Sequence, residues 1–207
     1  IMPDTDKTLP SHWFDRQDNS ADHYFYAQPR LVQHIDLATI DQLTEFYRHF
    51  LQEGSDLLDC MSSWVSHLPE EMQFGRVTGL GMNAEELRRN PRLTDWCVHD
   101  LNQDPNCPLD PARFDYAMIT VSIQYLTKPI AVLDSLRNCL KPGGQIAIAM
   151  SHRCFPTKAI AAFQVLPANE RIQLVKSYLE QAGYASSQFR DRSPRHGDPL
   201  WIVTGKV

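Results

Sequence analysis

Between Arg76 and Ser151 the chain alternates short apolar runs with helix-length segments, and that order restricts it to very few folds. Arg76-Val77-Thr78-Gly79-Leu80-Gly81-Met82-Asn83 is an apolar run that ends in a turn. Residues 95–102 and 114–122 repeat the pattern, and Lys141-Pro142-Gly143-Gly144 turns the chain into a fourth run over 145–150. Strands that alternate with helices build βαβ units and a parallel sheet. In open sheets of that kind, ligands bind in the crevice outside the carboxyl ends of the strands. Asn83, Asp100 and Ser122 all fall at such ends, so the pattern predicts that they converge on one crevice suited to a nucleotide-like ligand.

The flanking segments extend the same design. Residues 56–60 read as a strand ahead of the first run. Thr39-Ile40-Asp41-Gln42 has capping-box spacing, and Leu43, Phe46, Tyr47, Phe50 and Leu51 follow on one helical face. Asn83 with Glu86 three residues on marks another helix start, and Thr127 with Pro129 a third, with Ile130, Leu133, Leu136 and Leu140 turned inward. Residues 168–182 form a further helix capped by Gly183, and two β-like runs around 184–189 and 200–203 close the chain as a hairpin. Residues 151–167 have no clear period. The fold expected is a doubly wound, mostly parallel seven-stranded α/β sheet with helices on both faces and a C-terminal antiparallel hairpin. Residues 40–207 form that domain, and residues 1–39 form an N-terminal arm, mobile or loosely docked over residues 1–25.

Composition excludes several function classes. A formal net charge of −5 argues against broad nucleic-acid or anionic-membrane binding, both of which need concentrated positive charge. No apolar run approaches the roughly 18 residues that span a bilayer. The five cysteines are odd in number and include no CxxC pair, which predicts a reducing compartment such as the cytoplasm. Ile1 is not an initiator methionine, which leaves room for a presequence ahead of it. The histidines lack HExxH-like spacing, so no metal is expected, and the absence of GxSxG removes a hydrolase reading.

With these residues in view, the chain resembles the class I methyltransferases that use S-adenosylmethionine (SAM), particularly the small-molecule branch. Phe114-Asp115 and Leu140-Lys141-Pro142-Gly143-Gly144, joined by one helix, match the family's fourth strand and the turn into its fifth. Val98-His99-Asp100-Leu101-Asn102 matches its third-strand element, which implies that Asp100 accepts from the adenine amino group while Leu101 lies against the ring. The resemblance implies a SAM site, releasing S-adenosylhomocysteine (SAH), at Asp59, Met61, Ser62, Ser63, Gly81, Met82, Asn83, Asp100, Leu101, Val121 and Ser122.

Two departures fall in that site. The family carries a glycine-rich loop after its first strand, where this chain has Cys60, Met61, Ser62, Ser63, Trp64 and Val65. Ser62 and Ser63 offer N–H groups and hydroxyls to the SAM carboxylate, especially where a helix starts there. The family's ribose-binding acid, at the end of the second strand, is replaced by Gly81, Met82 and Asn83, and Asn83 reaches one hydroxyl at most.

The remaining candidates have two readings each. Asp100 is an adenine partner or a helix cap, and Asn83 a ribose contact or an N-cap. Ser122 and Gln124 face the methyl-transfer centre, or Ser122 is a buried turn serine. His152 and Tyr125 are the candidate general bases, and Arg153 a substrate-anion ligand. The alternative makes His152 a loop anchor and pairs Arg153 with a surface acid. Tyr26, Arg30 and His34 close over the site as a lid, or pack the arm onto the sheet edge. The function expected is methyl transfer from SAM to a small-molecule acceptor, with no nucleic-acid or membrane partner. Its rival is a non-catalytic binding module on the same fold, which the missing glycines and ribose acid favour.

Overall fold

The computed structural model describes residues 9–207; the first eight residues of the arm lie outside that range. Seven strands form one sheet: β1 (Leu57–Cys60), β2 (Val77–Gly81), β3 (Asp95–Val98), β4 (Phe114–Thr120), β5 (Leu140–Met150), β6 (Ser186–Asp191) and β7 (Trp201–Lys206). Their spatial order is β3-β2-β1-β4-β5-β7-β6, with β7 antiparallel to both neighbours and every other pairing parallel. The order reverses between β1 and β4, which opens a crevice above their carboxyl ends.

Both faces of the central strands are buried, as the near-continuous apolar runs require. Leu57, Val77, Met118, Ala147 and Ile202 pack beneath a helix over Leu37–Phe50, which presents Leu43, Phe46 and Tyr47. On the other face Leu58, Leu80, Ile119, Ile148 and Val203 meet two helices, Pro129–Cys139 and Ala168–Gln181. Each fully buried leucine or isoleucine there contributes about 1.5–3 kcal/mol. In chain order the helices are α1 (Asp22–Phe25), α2 (Leu37–Phe50), α3 (Ala84–Arg89), α4 (Pro129–Cys139), α5 (Ala161–Val165) and α6 (Ala168–Gln181).

Several local expectations are corrected. The N-cap of α2 is Asp36, whose Oδ1 accepts from Thr39 N at 2.9 Å, so the helix starts ahead of the capping box read at Thr39. Residues 61–76 between β1 and β2 contain no helix, so the loop serines do not open one. The Lys141–Gly144 turn is flanked by pairing on both sides: Leu140 faces Phe114, and the register resumes at Gln145 opposite Tyr116. The short helix α5 lies in a stretch with no legible period.

The described part of the arm is docked, not loose. A 3-10 turn over Ser11–Phe14 brings Phe14 within 6.2 Å of the Tyr178 ring, and Trp13 and Leu9 pack on the same cluster. Asp15 O accepts from Ala161 N, and Asp18 N donates to Thr157 O. Beyond that point the arm runs across the strand ends.

Candidate active site

The crevice begins with two residues in left-handed backbone. Met61, directly after β1, has φ +57°, and Val121, directly after β4, has φ +46°. Such a conformation is uncommon for any side chain and a genuine outlier for a β-branched one. Strain of this sort costs on the order of 1–3 kcal/mol and persists only where the surroundings enforce it. Here Ser62 N donates to Leu80 O at 2.7 Å and Val121 N to Ala149 O at 2.8 Å, which fixes both turns. Met61 thus takes the backbone form that glycine adopts without strain.

The loop after β1 is organised by Asp59. Its Oδ2 accepts from Ser62 Oγ at 2.6 Å and from Ser66 Oγ at 2.5 Å. Asn90 Nδ2 reaches Ser66 Oγ and the carbonyl of Ser63. Burial lifts the Asp59 carboxyl to about 6, because the desolvation outweighs the two serine hydrogen bonds. Gly81 is held to its size by this loop: a Cβ there would stand 2.5 Å from Ser62 O.

Asn83 caps α3, accepting from Glu86 N at 3.1 Å, while its amide donates to Tyr26 O at 2.9 Å and Ala27 O. Asp100 Oδ1 accepts from Asn102 N and Gln103 N, stiffening the loop after β3. Asn102 then joins three segments, donating to Asp22 Oδ2 and Tyr125 O and accepting from Thr127 N.

Above these strand ends the arm forms a roof. Trp64 Nε1 donates to Val32 O at 2.9 Å, tying the arm to the β1 loop, and Asn83 ties it to the β2 loop. Asp22, buried, bonds Arg16 at 2.8 Å and Lys158 at 3.1 Å, and Lys158 is itself fully buried. These cations and Asn102 hold the Asp22 carboxyl below its ordinary value even though burial opposes them. Asp36 and Asp198 complete the anchorage by accepting from each other's backbone N–H.

The cavity at the strand ends measures ≈ 380 Å³. Met61, Ser62, Ser63, Gly81, Met82, Asn83, Asp100, Leu101, Val121, Ser122, Tyr125, Tyr26, Arg30, His34 and Arg153 all line it. Asp59, Gln124 and His152 do not. Gln124 instead braces the β4 turn, Nε2 to Val121 O at 2.9 Å. His152 turns to Asp198, with 3.6 Å between Nε2 and Oδ1, and Arg153 Nε lies 2.8 Å from the same carboxylate. The loop-anchor reading therefore describes His152, while Arg153 both lines the cavity and pairs with an acid.

Tyr125 is also corrected as a base. Its Oη accepts from Phe155 N at 2.9 Å, and burial pushes its pKa up to about 12, so the phenol keeps its proton and acts as a donor. Sequence reasoning missed Asp22, Glu86, Asn102 and Phe155 in the cavity wall. Glu86 was legible only as a helix-start acid. Its carboxyl, raised mainly by burial, is placed against the backbone N–H of Arg30 instead of closing a capping box.

Residues 60–148 match the family described as the methyltransferase domain. Over that segment, less than half of the chain, the sequence is similar to a methyltransferase domain. Its strand order and hairpin are the Rossmann-like methyltransferase fold. A SAM-dependent methyltransferase from Mesorhizobium loti is similar at 16% identity over 81% of this chain and 100% of that one, with a TM-score of 0.58. Phosphoethanolamine N-methyltransferase 2 of Haemonchus contortus, in complex with SAM, is similar at 14% identity over 80% of this chain and 52% of that one, TM-score 0.59. The [4+2]-cyclase SpnF is similar at 17% identity over 80% of each chain, TM-score 0.61. No curated protein matches the sequence. Likenesses at these identities establish the methyltransferase fold, and the cyclase among them is a reminder that reaction is argued from the site.

Proposed function

We propose that the protein is a SAM-dependent methyltransferase acting on a small-molecule acceptor. The observation that carries this reading is the convergence of the ends of β1, β2, β3 and β4 on one roofed cavity, with Asp100 at the third and Ser122 at the fourth. Three features of the cavity fit a bound cofactor together with its acceptor. Gly81, bare where a Cβ would meet Ser62 O at 2.5 Å, lets the β1 loop lie close against β2 and shape the cavity floor. Ser122 Oγ is buried with no partner among the described residues, an orphan that a bound molecule would satisfy. Glu86 supplies a buried carboxylate just beyond β2, on the side where the family's ribose acid stands.

In this reading Asp100 accepts from the adenine amino group, Leu101 packs on the ring, Glu86 takes the ribose, and Ser62 and Ser63 face the amino-acid end. When bound, SAM supplies a methyl group made electrophilic by its sulfonium. The protein's part is to align acceptor and methyl and to keep water out, which the arm does by covering the strand ends. The free cysteines agree with work in a reducing compartment, and among the described residues no helix is long and apolar enough to cross a membrane.

Calorimetric titration with SAM and SAH tests the proposal, since saturable binding of either is required. Asp100→Ala removes one charge-assisted hydrogen bond worth about 1.5–3 kcal/mol and is expected to weaken SAH binding roughly 10- to 150-fold. Unchanged binding by that variant would remove adenine from the β3 end.

A further inference from the structure

The acceptor end of the cavity is rich in donors and poor in bases. Arg30 lies with its guanidinium carbon 4.2 Å from the centroid of Phe25, 5.3 Å from Phe155 and 5.8 Å from Tyr26. One nitrogen donates to Phe25 O at 2.8 Å. The rest of its fork, Nε and Nη2 included, has no hydrogen-bond or ion-pair partner among the described residues and belongs to a side chain that lines the cavity. An aromatic cage of this kind holds a guanidinium in place while leaving its edge for a planar anion. Two further donors face the same space. Ser122 is only 9% exposed, and its hydroxyl is buried without a partner. Tyr125, having accepted from Phe155 N, still has its own proton to give.

No lining group here is placed to take a proton from an acceptor. Tyr125 holds its own up to about 12. His34 is kept neutral by burial and by the charge of Arg30, and protonating it would put a second cation beside the first. His67 stands behind it, its own pKa pressed down to about 4 by burial and by His34. Asp22 is tied to Arg16 and Lys158; Glu86 accepts from the backbone N–H of Arg30 and stands over β2, and His99 and Asp100 stand over β3, all on the far side of β1 from Ser122, with His99 Nε2 already 2.8 Å from Asp104 O. His152 faces Asp198 outside the cavity.

We infer that the acceptor is a carboxylic acid with an apolar body, bound as its carboxylate by Arg30 with Ser122 and Tyr125, and methylated on oxygen. An ionised carboxylate needs no base, which is the kind of acceptor this wall suits. Its oxygen lone pair forms the new O–CH3 bond. The methyl donor's C–S bond breaks with its electron pair left on sulfur, and no proton is released. The sulfonium charge and the carboxylate charge cancel, giving a methyl ester and a neutral thioether. Phe155, Tyr125 and Tyr26 would cover the apolar body.

This inference rests on the methyltransferase reading, and its test separates the two. The full chain is incubated with methyl-labelled SAM and either the small-molecule fraction of a cell extract or a panel of aryl and alkyl carboxylic acids with matched phenols and amines. Label that alkali releases as volatile methanol, formed from acids alone, is the expected result. The rate with an acid should stay flat above about pH 6, where a carboxylate is already ionised. Arg30→Gln should lower kcat/KM for acids at least about 10-fold, the scale of one charge-assisted pair, while SAH affinity by calorimetry stays within about twofold. Alkali-stable label from phenols or amines overturns the inference. So does SAH binding with no label from any acid, or an Arg30→Gln variant that loses acids and phenols equally. Failure to bind SAM or SAH at all would instead sink the methyltransferase reading beneath it.

Discussion

Asp59→Asn should remove a pH dependence that one buried carboxyl gives to the fold. Asp59 is 5% exposed, and burial raises its carboxyl from an ordinary 3.8 to about 6. The folded form therefore binds this proton more tightly than the unfolded chain does. The stability it contributes is fully present below pH 3.8, declines as pH rises, and is gone above about 6. At about 1.4 kcal/mol per tenfold change in proton affinity, the difference across that window is about 3 kcal/mol. Asparagine is uncharged throughout, and the hydroxyls of Ser62 and Ser66 can rotate to accept from its amide as well as donate to its oxygen. Urea denaturation of wild type and variant at pH 4 and pH 7.5 isolates the effect, because every other titrating group cancels in the difference. The variant should gain on the wild type by about 2–3 kcal/mol between the two pH values, or roughly 4–12 °C in Tm for a chain of this size. A gap between the two proteins that stays constant with pH, within about 0.5 kcal/mol, would refute the account of Asp59 as a desolvated carboxylate.

Two further perturbations probe the roof and the floor of the cavity. Lys158→Met leaves buried Asp22 short of a partner, and should cost about 3–5 kcal/mol; hydrogen exchange should show residues 15–30 losing protection first, and uniform loss would contradict a local lock. Gly81→Asp, which puts an acid where the family has one, should fail as a gain of function. Its Cβ would meet Ser62 O at 2.5 Å, so thermal denaturation should show a loss of more than about 2 kcal/mol, and calorimetry no improvement in SAH affinity.

The central strands of the sheet were legible because they are local apolar runs closed by turn residues, and the ends of β2, β3 and β4 carry Asn83, Asp100 and Ser122 into one cavity. What escaped the sequence was set by partners far along the chain. Lys158 bonds Ser20 O across 138 positions, and nothing near Asp22 announces that a lysine will neutralise it. His152 looked available because Asp198, from the closing hairpin, carries no local sign of pointing back. Tyr125 looked like a base, but burial raises its phenol to about 12 against the pull of the Phe155 N–H. The lack of glycine after β1 read as a departure from the family's loop. The backbone of Met61 shows that the left-handed turn is kept and a side chain carried through it under strain.

The roof over the cavity also has a schedule. Its anchors on the far side, Phe155, Lys158 and Asp198, lie far along the chain from the arm that they secure, which is synthesised well ahead of them. At a ribosome's pace of roughly 5–20 residues per second, the arm waits on the order of ten seconds or more for those partners to emerge. Through that interval Arg16, Asp22 and the aromatic run around Phe25 are in water, and the strand ends stand open above β1 and β2. A nascent chain stopped before the hairpin would hold most of the sheet and no enclosed pocket. The arm, made ahead of its partners, settles after them.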